Sequence, residues 1–399
     1  MFSRLAAVLR LRALGRRDGL DDRATVLALF ARFTDELCSG LLVVLMPTVR
    51  TRLGLSLSQV GWCFQALTSA GVVVEPLAGA AIDVVRRRPL LVAGAAGWSA
   101  ALLLAAGAPT FGWLLGAFAL VGAASGPLAH TADVILVEGH PGAEERIASR
   151  STALDTIGAL LAPSAVAAGG WAGVDGRVLL AAAGTGVLGY AVLLAGASLP
   201  APAPAPGAGG GRRWAQVAAN LRAVLADRGV RRWIGALALL DVLDLPEVFE
   251  PVWLGDVAGA SQTLVAVHVA TGLAAGLVAL VVLDRWLAGH DAHGVLLASA
   301  LAALVLYPAW LLAPGFLPRL GLVVLRDAAM APLWPILHAR ALAAVPGRAG
   351  AVSAVTALTG ALPLHAAFGW LAQRAGLTSS MLAVHVGAVL GLCALLRRR

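Results

Sequence analysis

The chain has 399 residues, of which 59% are hydrophobic and only 13% charged, with a formal net charge of +8. A soluble domain carries about 25% charged residues, so this composition excludes a soluble enzyme or binding module and places the chain in a bilayer. All 30 basic residues are Arg and they gather at alternate loops, so the positive charge reads as membrane topology and not as a nucleic-acid surface.

Residues 1–23 form a basic tail: Leu5 to Leu14 is interrupted by Arg10 and Arg12 and is no secretory signal. Apolar runs bounded by Pro, Gly and charge then predict helices at about 24–49, 57–82, 89–108, 111–138, 147–170 and 177–199. A Pro/Gly/Arg linker follows at 200–232, within which Trp214, Val217, Leu221, Val224 and Leu225 recur at helical spacing and predict a short amphipathic helix on the membrane surface, a solvated tether being the other reading. A second set of runs lies at about 233–254, 261–283, 293–313, 319–343, 349–373 and 379–396, and residues 397–399 form a basic end. Cys38, Cys63 and Cys393 all fall within apolar runs, which speaks against a disulfide framework, and no Cys/His metal spacing occurs.

The two sets repeat one another. Pro47, Ser58-Gln59, Thr68, Asp83, Pro127-Leu128 and Thr152-Ala153-Leu154 reappear as Pro251, Ser261-Gln262, Thr271, Asp284, Pro332-Leu333 and Thr356-Ala357-Leu358, at offsets between 201 and 205 residues. A near-constant offset over so many landmarks is a repeat, and two homologous membrane halves on a polar linker is the architecture of a transporter with parallel repeats. The predicted fold is an all-α membrane protein of twelve transmembrane helices in two pseudo-symmetric six-helix bundles, 24–199 and 233–396. With the N-terminus inside, nearly every Arg falls on the inner side and only Arg50, Arg52, Arg177, Arg319 and Arg374 outside. Both termini and the linker are therefore expected in the cytoplasm of a cell carrying this multi-pass protein in its inner or plasma membrane.

Ionisable groups inside a span cost about 2.5–3.5 kcal/mol each on insertion scales, so each needs a reason. In the first span Arg32 lies three and four residues before Asp35 and Glu36, which makes either a self-neutralised pair or a proton site. Glu75-Pro76 in the second span has no obvious local partner. His130 and Asp133 in the fourth share a face one turn apart and suit a proton relay; their spacing also suits a shared metal ion, but no Cys or second His stands near. Asp155 in the fifth span stands alone. In the seventh, Asp241, Asp244, Glu247 and Glu250 step by three along what reads as one cavity wall, with Pro246 breaking the helix and Glu250, with or without Glu247, alternatively solvated at the outer mouth. Arg326-Asp327 in the tenth span either satisfy each other and neighbouring helices or offer Arg326 to an anionic substrate. His268, His338 and His365 read as isolated interior or loop residues. No metal or cofactor site and no Walker-type ATP loop is evident.

At the inner loop after the second span, Gly79-x-x-x-Asp83-x-x-Arg86-Arg87-Arg88 resembles motif A of the major facilitator superfamily, Gly-x-x-x-Asp-Arg-x-Gly-Arg-Arg. Gly79, Asp83, Arg87 and Arg88 fall on its positions; Val84 and Arg86 depart from it, and Asp284-Arg285 keeps only the acid–base pair in the second half. Gly158-x-x-x-Ala162-Pro163 resembles the family's antiporter motif, with Ala162 where Gly is usual. Asp35-Glu36 ahead of Pro47, then Ser58-Gln59-Val60-Gly61, Glu75-Pro76, Gly79 and Asp83 resemble the fosmidomycin-resistance type of drug exporter, although that type's His-Pro-Glu is replaced by His130-Thr-Ala-Asp133.

The resemblance implies alternating access about a central site lined by the first, fourth, seventh and tenth helices. The expected function is that of a proton-coupled exporter, no enzyme, acting as a monomer on a small cationic or amphipathic molecule with protons and the lipid bilayer as its other partners and no nucleic acid. Asp35, Glu36, Asp133 and Asp241 are the candidate proton and substrate acids. A proton symporter importing an organic acid through Arg32 and Arg326 is the second reading within transport, and a polytopic membrane enzyme is the remote one.

Overall fold

Long apolar runs without internal polar breaks leave the backbone no partner but itself, so each run closes its own hydrogen bonds as a helix. The computed structural model describes residues 23–82, 86–140, 144–199, 228–287, 291–343 and 361–397, and among these there is helix and no strand. The first half supplies α1 (Arg23–Leu53), α2 (Leu57–Ile82), α3 (Arg87–Gly107), α4 (Phe111–Glu138), α5 (Glu144–Trp171) and α6 (Gly176–Ala195). The second supplies α7 (Arg228–Asp256), α8 (Gln262–Leu287), α9 (Ala292–Leu312), α10 (Phe316–Met330), α11 (Leu333–Ala343), α12 (Leu364–Ala375) and α13 (Leu377–Arg397). With α10 and α11 forming one span, these are the twelve helices of the expected architecture.

Two elements differ from expectation. The tenth span is not continuous: a turn at residues 331–332 separates α10 from α11, where Pro332 withholds the N–H that the helical ladder needs. Conversely, Pro246 and Pro251 both lie inside an unbroken α7, so Pro246 does not break that helix. The predicted linker helix at 214–225, the basic tail and most of the eleventh span's first half lie outside the described residues.

Nine of the spans among the described residues are long and apolar enough to cross a membrane by length and composition, and α1 and α7 are not among them. Those two carry the Arg32-Asp35-Glu36 set and the row from Asp241 to Glu250. Their charges, not their length, lower their hydropathy.

The repeat is visible in the turns. Gly54 after α1 and Gly259 after α7 have φ of 62° and 69°, and Gly173 after α5 and Gly376 after α12 have φ of 69° and 87°. A left-handed residue lets the chain reverse within a few residues, and glycine adopts it without the Cβ penalty. The partners stand about 204 residues apart, the spacing already found among the sequence landmarks.

The described helices divide into two compact units. The first takes the described parts of Met1–Leu42, Ala66–Ala165 and Gly173–Ala205. Its interior is built on α3, whose Leu91, Ala95, Trp98, Leu102 and Ala105 are fully buried. The second takes Val43–Gln65, Val166–Ala172 and the described parts of Pro206–Arg399. Its core joins Leu240 and Leu243 of α7, Leu296 and Ala300 of α9, Leu337 of α11, and Val389 and Leu392 of α13.

Candidate functional site

Each unit holds its own cluster of ionisable side chains. In the first, Asp35 is 8% exposed and accepts hydrogen bonds from Trp98 Nε1 at 2.7 Å and Ser125 Oγ at 3.0 Å, which ties α1 to α3 and α4. Arg32, one turn earlier, makes its ion pairs with neither Asp35 nor Glu36. Its Nη2 donates to Asp155 Oδ2 at 2.6 Å and its Nε lies 3.5 Å from Asp133 Oδ1. The local pairing expected within α1 is thus replaced by pairing across helices, and Asp155 does not stand alone. Glu75 finds its partner in His130, with Nε2 3.7 Å from Oε2. His130 and Asp133 therefore share a face of α4 but address different neighbours. Glu36 is half-buried and makes no hydrogen bond or ion pair among the described residues.

The motif residues lie in the same unit. Gly158 is buried where α5 meets α1: a Cβ there would stand 2.6 Å from the Phe33 carbonyl oxygen, so only glycine admits this approach. Pro163 follows it, also buried within α5. Arg87 is 2% exposed and donates through Nη2 to Glu138 Oε2 at 2.5 Å, fastening the start of α3 to the end of α4. Arg88 is exposed, and a Cβ on Gly79 would meet open space. Asp83 lies outside the described residues, as do the side chains of Asp284 and Arg285.

In the second unit the centre is Arg326 on α10, 4% exposed. Nη1 and Nη2 donate to the two oxygens of Glu250 at 2.7 and 3.2 Å, and Nε donates to Asp327 Oδ1 at 2.6 Å. The planar fork matches a carboxylate bidentately, so both ends of the guanidinium are engaged. Its face lies over Trp310, 4.4 Å from the ring centroid. Glu250, 5% exposed, is no solvated group at an outer mouth as the end of the acidic row suggested. His268 is not isolated either. Its Nε2 accepts from Trp310 Nε1 at 3.0 Å and stands 3.3 Å from Glu250 Oε1. Tyr307 and His385 stack beside them with ring centroids 3.7 Å apart. His338 stacks on Trp334 at 4.8 Å.

Asp241 is half-buried, while the side chains of Asp244 and Glu247 are exposed and make no hydrogen bond or ion pair among the described residues. Sequence reasoning missed Trp98, Ser125, Tyr307, Trp310 and His385 as members of these clusters. The available signal was polar or indole side chains set in otherwise aliphatic runs, which need a partner when buried.

The family model described as Major Facilitator Superfamily matches residues 28–364. No curated protein matches the chain. Among solved structures it is similar to a bacterial homologue of the human lysosomal transporter Spinster in an inward-facing, unoccupied conformation, at 15% identity and TM-score 0.69, with 94% of each chain covered. It is also similar to the nucleoside transporter NupG, at 13% identity and TM-score 0.76, over 95% of this chain and 100% of that one. A POT family transporter in complex with a thioalcohol-conjugated peptide aligns at 13% identity and TM-score 0.72, over 94% and 95%. These likenesses speak to the fold, and the family match covers most of the chain. The protein is a multi-pass membrane protein that belongs to the Major Facilitator Superfamily.

Proposed function

We propose that this transporter exports a small cationic or amphipathic compound in exchange for protons. The observation that carries the reading is the balance of charge in the two clusters. Asp35, Glu36, Asp133 and Asp155 lie with Arg32 in the first unit, where Glu75 pairs with His130, and Asp241, Asp244, Glu247, Glu250 and Asp327 accompany Arg326 and His268 in the second. Both arginines are engaged by carboxylates. Clusters so rich in acid favour cations and protons, and an organic anion entering either one meets excess negative charge. Glu36, Asp244 and Glu247, which make no hydrogen bond or ion pair among the described residues, are the acids freest to take up a proton or a cationic group, with Asp35, Asp133 and Asp241 supporting them.

The test uses purified protein in liposomes with an internal pH dye, challenged with cationic and anionic compounds with and without an imposed proton gradient. Cationic compounds are expected to move protons in the opposite direction, and the Asp241→Asn and Glu36→Gln variants to lose that exchange while inserting normally. Proton movement together with an anionic compound would instead establish organic-acid symport and remove the basis of the proposal.

A further inference from the structure

At one end of the second unit, Arg232 and Trp233 of α7, Asp291 and His293 at the start of α9, and Arg340 of α11 line a cavity of about 380 Å³. This end also carries Arg231 and Arg397, and it is the end assigned to the cytoplasmic side by the distribution of Arg along the chain. The cavity is cationic. Arg340 is exposed and makes no ion pair among the described residues. Arg232 donates a hydrogen bond from Nη2 to the Leu396 carbonyl oxygen at 3.1 Å, and its Nε has no partner among the described residues. The one acid among the described lining residues, Asp291, makes no ion pair with them: its two carboxylate oxygens accept from the backbone N–H groups of His293 at 3.2 Å and Gly294 at 3.1 Å. Arg232 also lies over the Trp233 indole, 5.2 Å from its centroid, and an indole at the end of a span belongs at the headgroup level of the bilayer.

We infer that this cavity binds a phosphate-bearing anion, held between the Arg232 and Arg340 guanidinium groups with the His293 imidazole beside them. Two guanidinium groups that make no ion pair among the described residues offer planar donors around the cavity that match phosphate oxygens. A basic pocket between transmembrane helices at the membrane boundary is suited to the headgroup of an anionic phospholipid. Soluble phosphate shares the chemistry, and the experiment separates the two sources.

Purified full-length protein is examined by native mass spectrometry with added phosphatidylglycerol or phosphatidylcholine, and by thermal unfolding with inorganic phosphate. Taking the usual surface contribution of one arginine to anionic-lipid binding, Arg340→Gln should weaken retention of phosphatidylglycerol about fivefold and Arg232→Gln with Arg340→Gln roughly thirtyfold. Phosphatidylcholine retention should not change. Arg340→Gln removes an exposed side chain with no ion pair to lose, so its effect is not one of misfolding. Arg374→Gln, which removes the same charge from the opposite end of the unit, should leave retention intact. A midpoint raised by inorganic phosphate in the wild type and not in the double variant, with lipid retention equal in both, would keep the anion site and make its ligand soluble. If neither lipid nor phosphate distinguishes the wild type from the double variant, or if Arg374→Gln lowers retention equally, the inference is wrong.

Discussion

The Glu250–Arg326 contact makes a quantitative demand on stability. Both side chains are almost wholly withdrawn from solvent, at 6% and 4% exposure, and two of the three carboxylate bonds to the guanidinium come from Glu250. Breaking a buried ion pair by deleting one partner typically costs 3–5 kcal/mol, because the remaining charge stays buried. Asp327 still holds Nε and Trp310 still covers the guanidinium face after Glu250→Ala. The expected loss is therefore at the lower end, about 3 kcal/mol. Arg326→Ala strands two carboxylates, Glu250 and Asp327, and should cost at least as much. The double variant should be much less damaged than the sum of the two, with a coupling of about 2–3 kcal/mol. The assay is denaturant unfolding in mixed micelles followed by tryptophan fluorescence, since Trp253 and Trp310 lie in the same buried layer. Losses that add to within about 0.5 kcal/mol would mean the two residues are energetically independent, and the reading of Arg326 as occupied by Glu250 would fall.

Two further outcomes follow from local geometry. Gly61 of α2 and Gly369 of α12 meet within the second unit, where a Cβ on Gly61 would collide with the His365 carbonyl oxygen and stand 3.0 Å from the Gly369 Cα. Gly61→Ala should cost about 1–3 kcal/mol through forced separation of the helices, while Gly54→Asn in the adjacent turn should be mild; equal effects in the same unfolding assay would contradict the packing argument. The backbone N–H groups of His293 and Gly294 hold the Asp291 carboxyl below its usual pKa. A depressed carboxyl contributes stability above its unfolded pKa and loses it as pH falls through the folded value, so the midpoint gap between wild type and Asp291→Asn should narrow on acidification. A gap constant from neutral pH down to the acid range would show that the cap is not electrostatic.

The repeat, the spans and the family were legible because they rest on composition and on regular spacing, which survive in one dimension. Partnerships were not. Helical periodicity relates a residue only to those three or four positions away, so Arg32 was matched with Asp35 and Glu36. Its partners Asp133 and Asp155 instead arrive from α4 and α5, the latter 123 residues along the chain. Packing brings several helices against α1, and a long, forked side chain reaches across to whichever acids they present. Glu250 illustrates the same limit. Its place late in the α7 row left open both a cavity wall and an exposed mouth, and nothing in the row's spacing tells that His268, Trp310 and Arg326 close around that turn. Burial of a charged group is decided by neighbours, and those neighbours lie on α8, α9 and α10.

Where the arginines sit bears directly on the proposal that the clusters receive a cationic solute. In the sequence Arg32 and Arg326 are the two basic residues deepest in the spans and so the obvious contacts for an anionic solute. A solute carboxylate reaching Arg326 has to displace a bidentate carboxylate already in place, and the displaced Glu250 would be left buried with His268 beside it. Such an exchange replaces one carboxylate with another and leaves an unpaired charge behind, which is unfavourable unless Glu250 takes up a proton at the same time. A cation approaching Asp244, Glu247 or Glu36 has no ion pair to displace among the described residues. On the proposed function, cations are favoured by the arrangement of existing pairs and not by net charge alone, and that proposal predicts that Glu250→Gln, by loosening the hold on Arg326, is the variant in which binding of an anionic compound would first be detected.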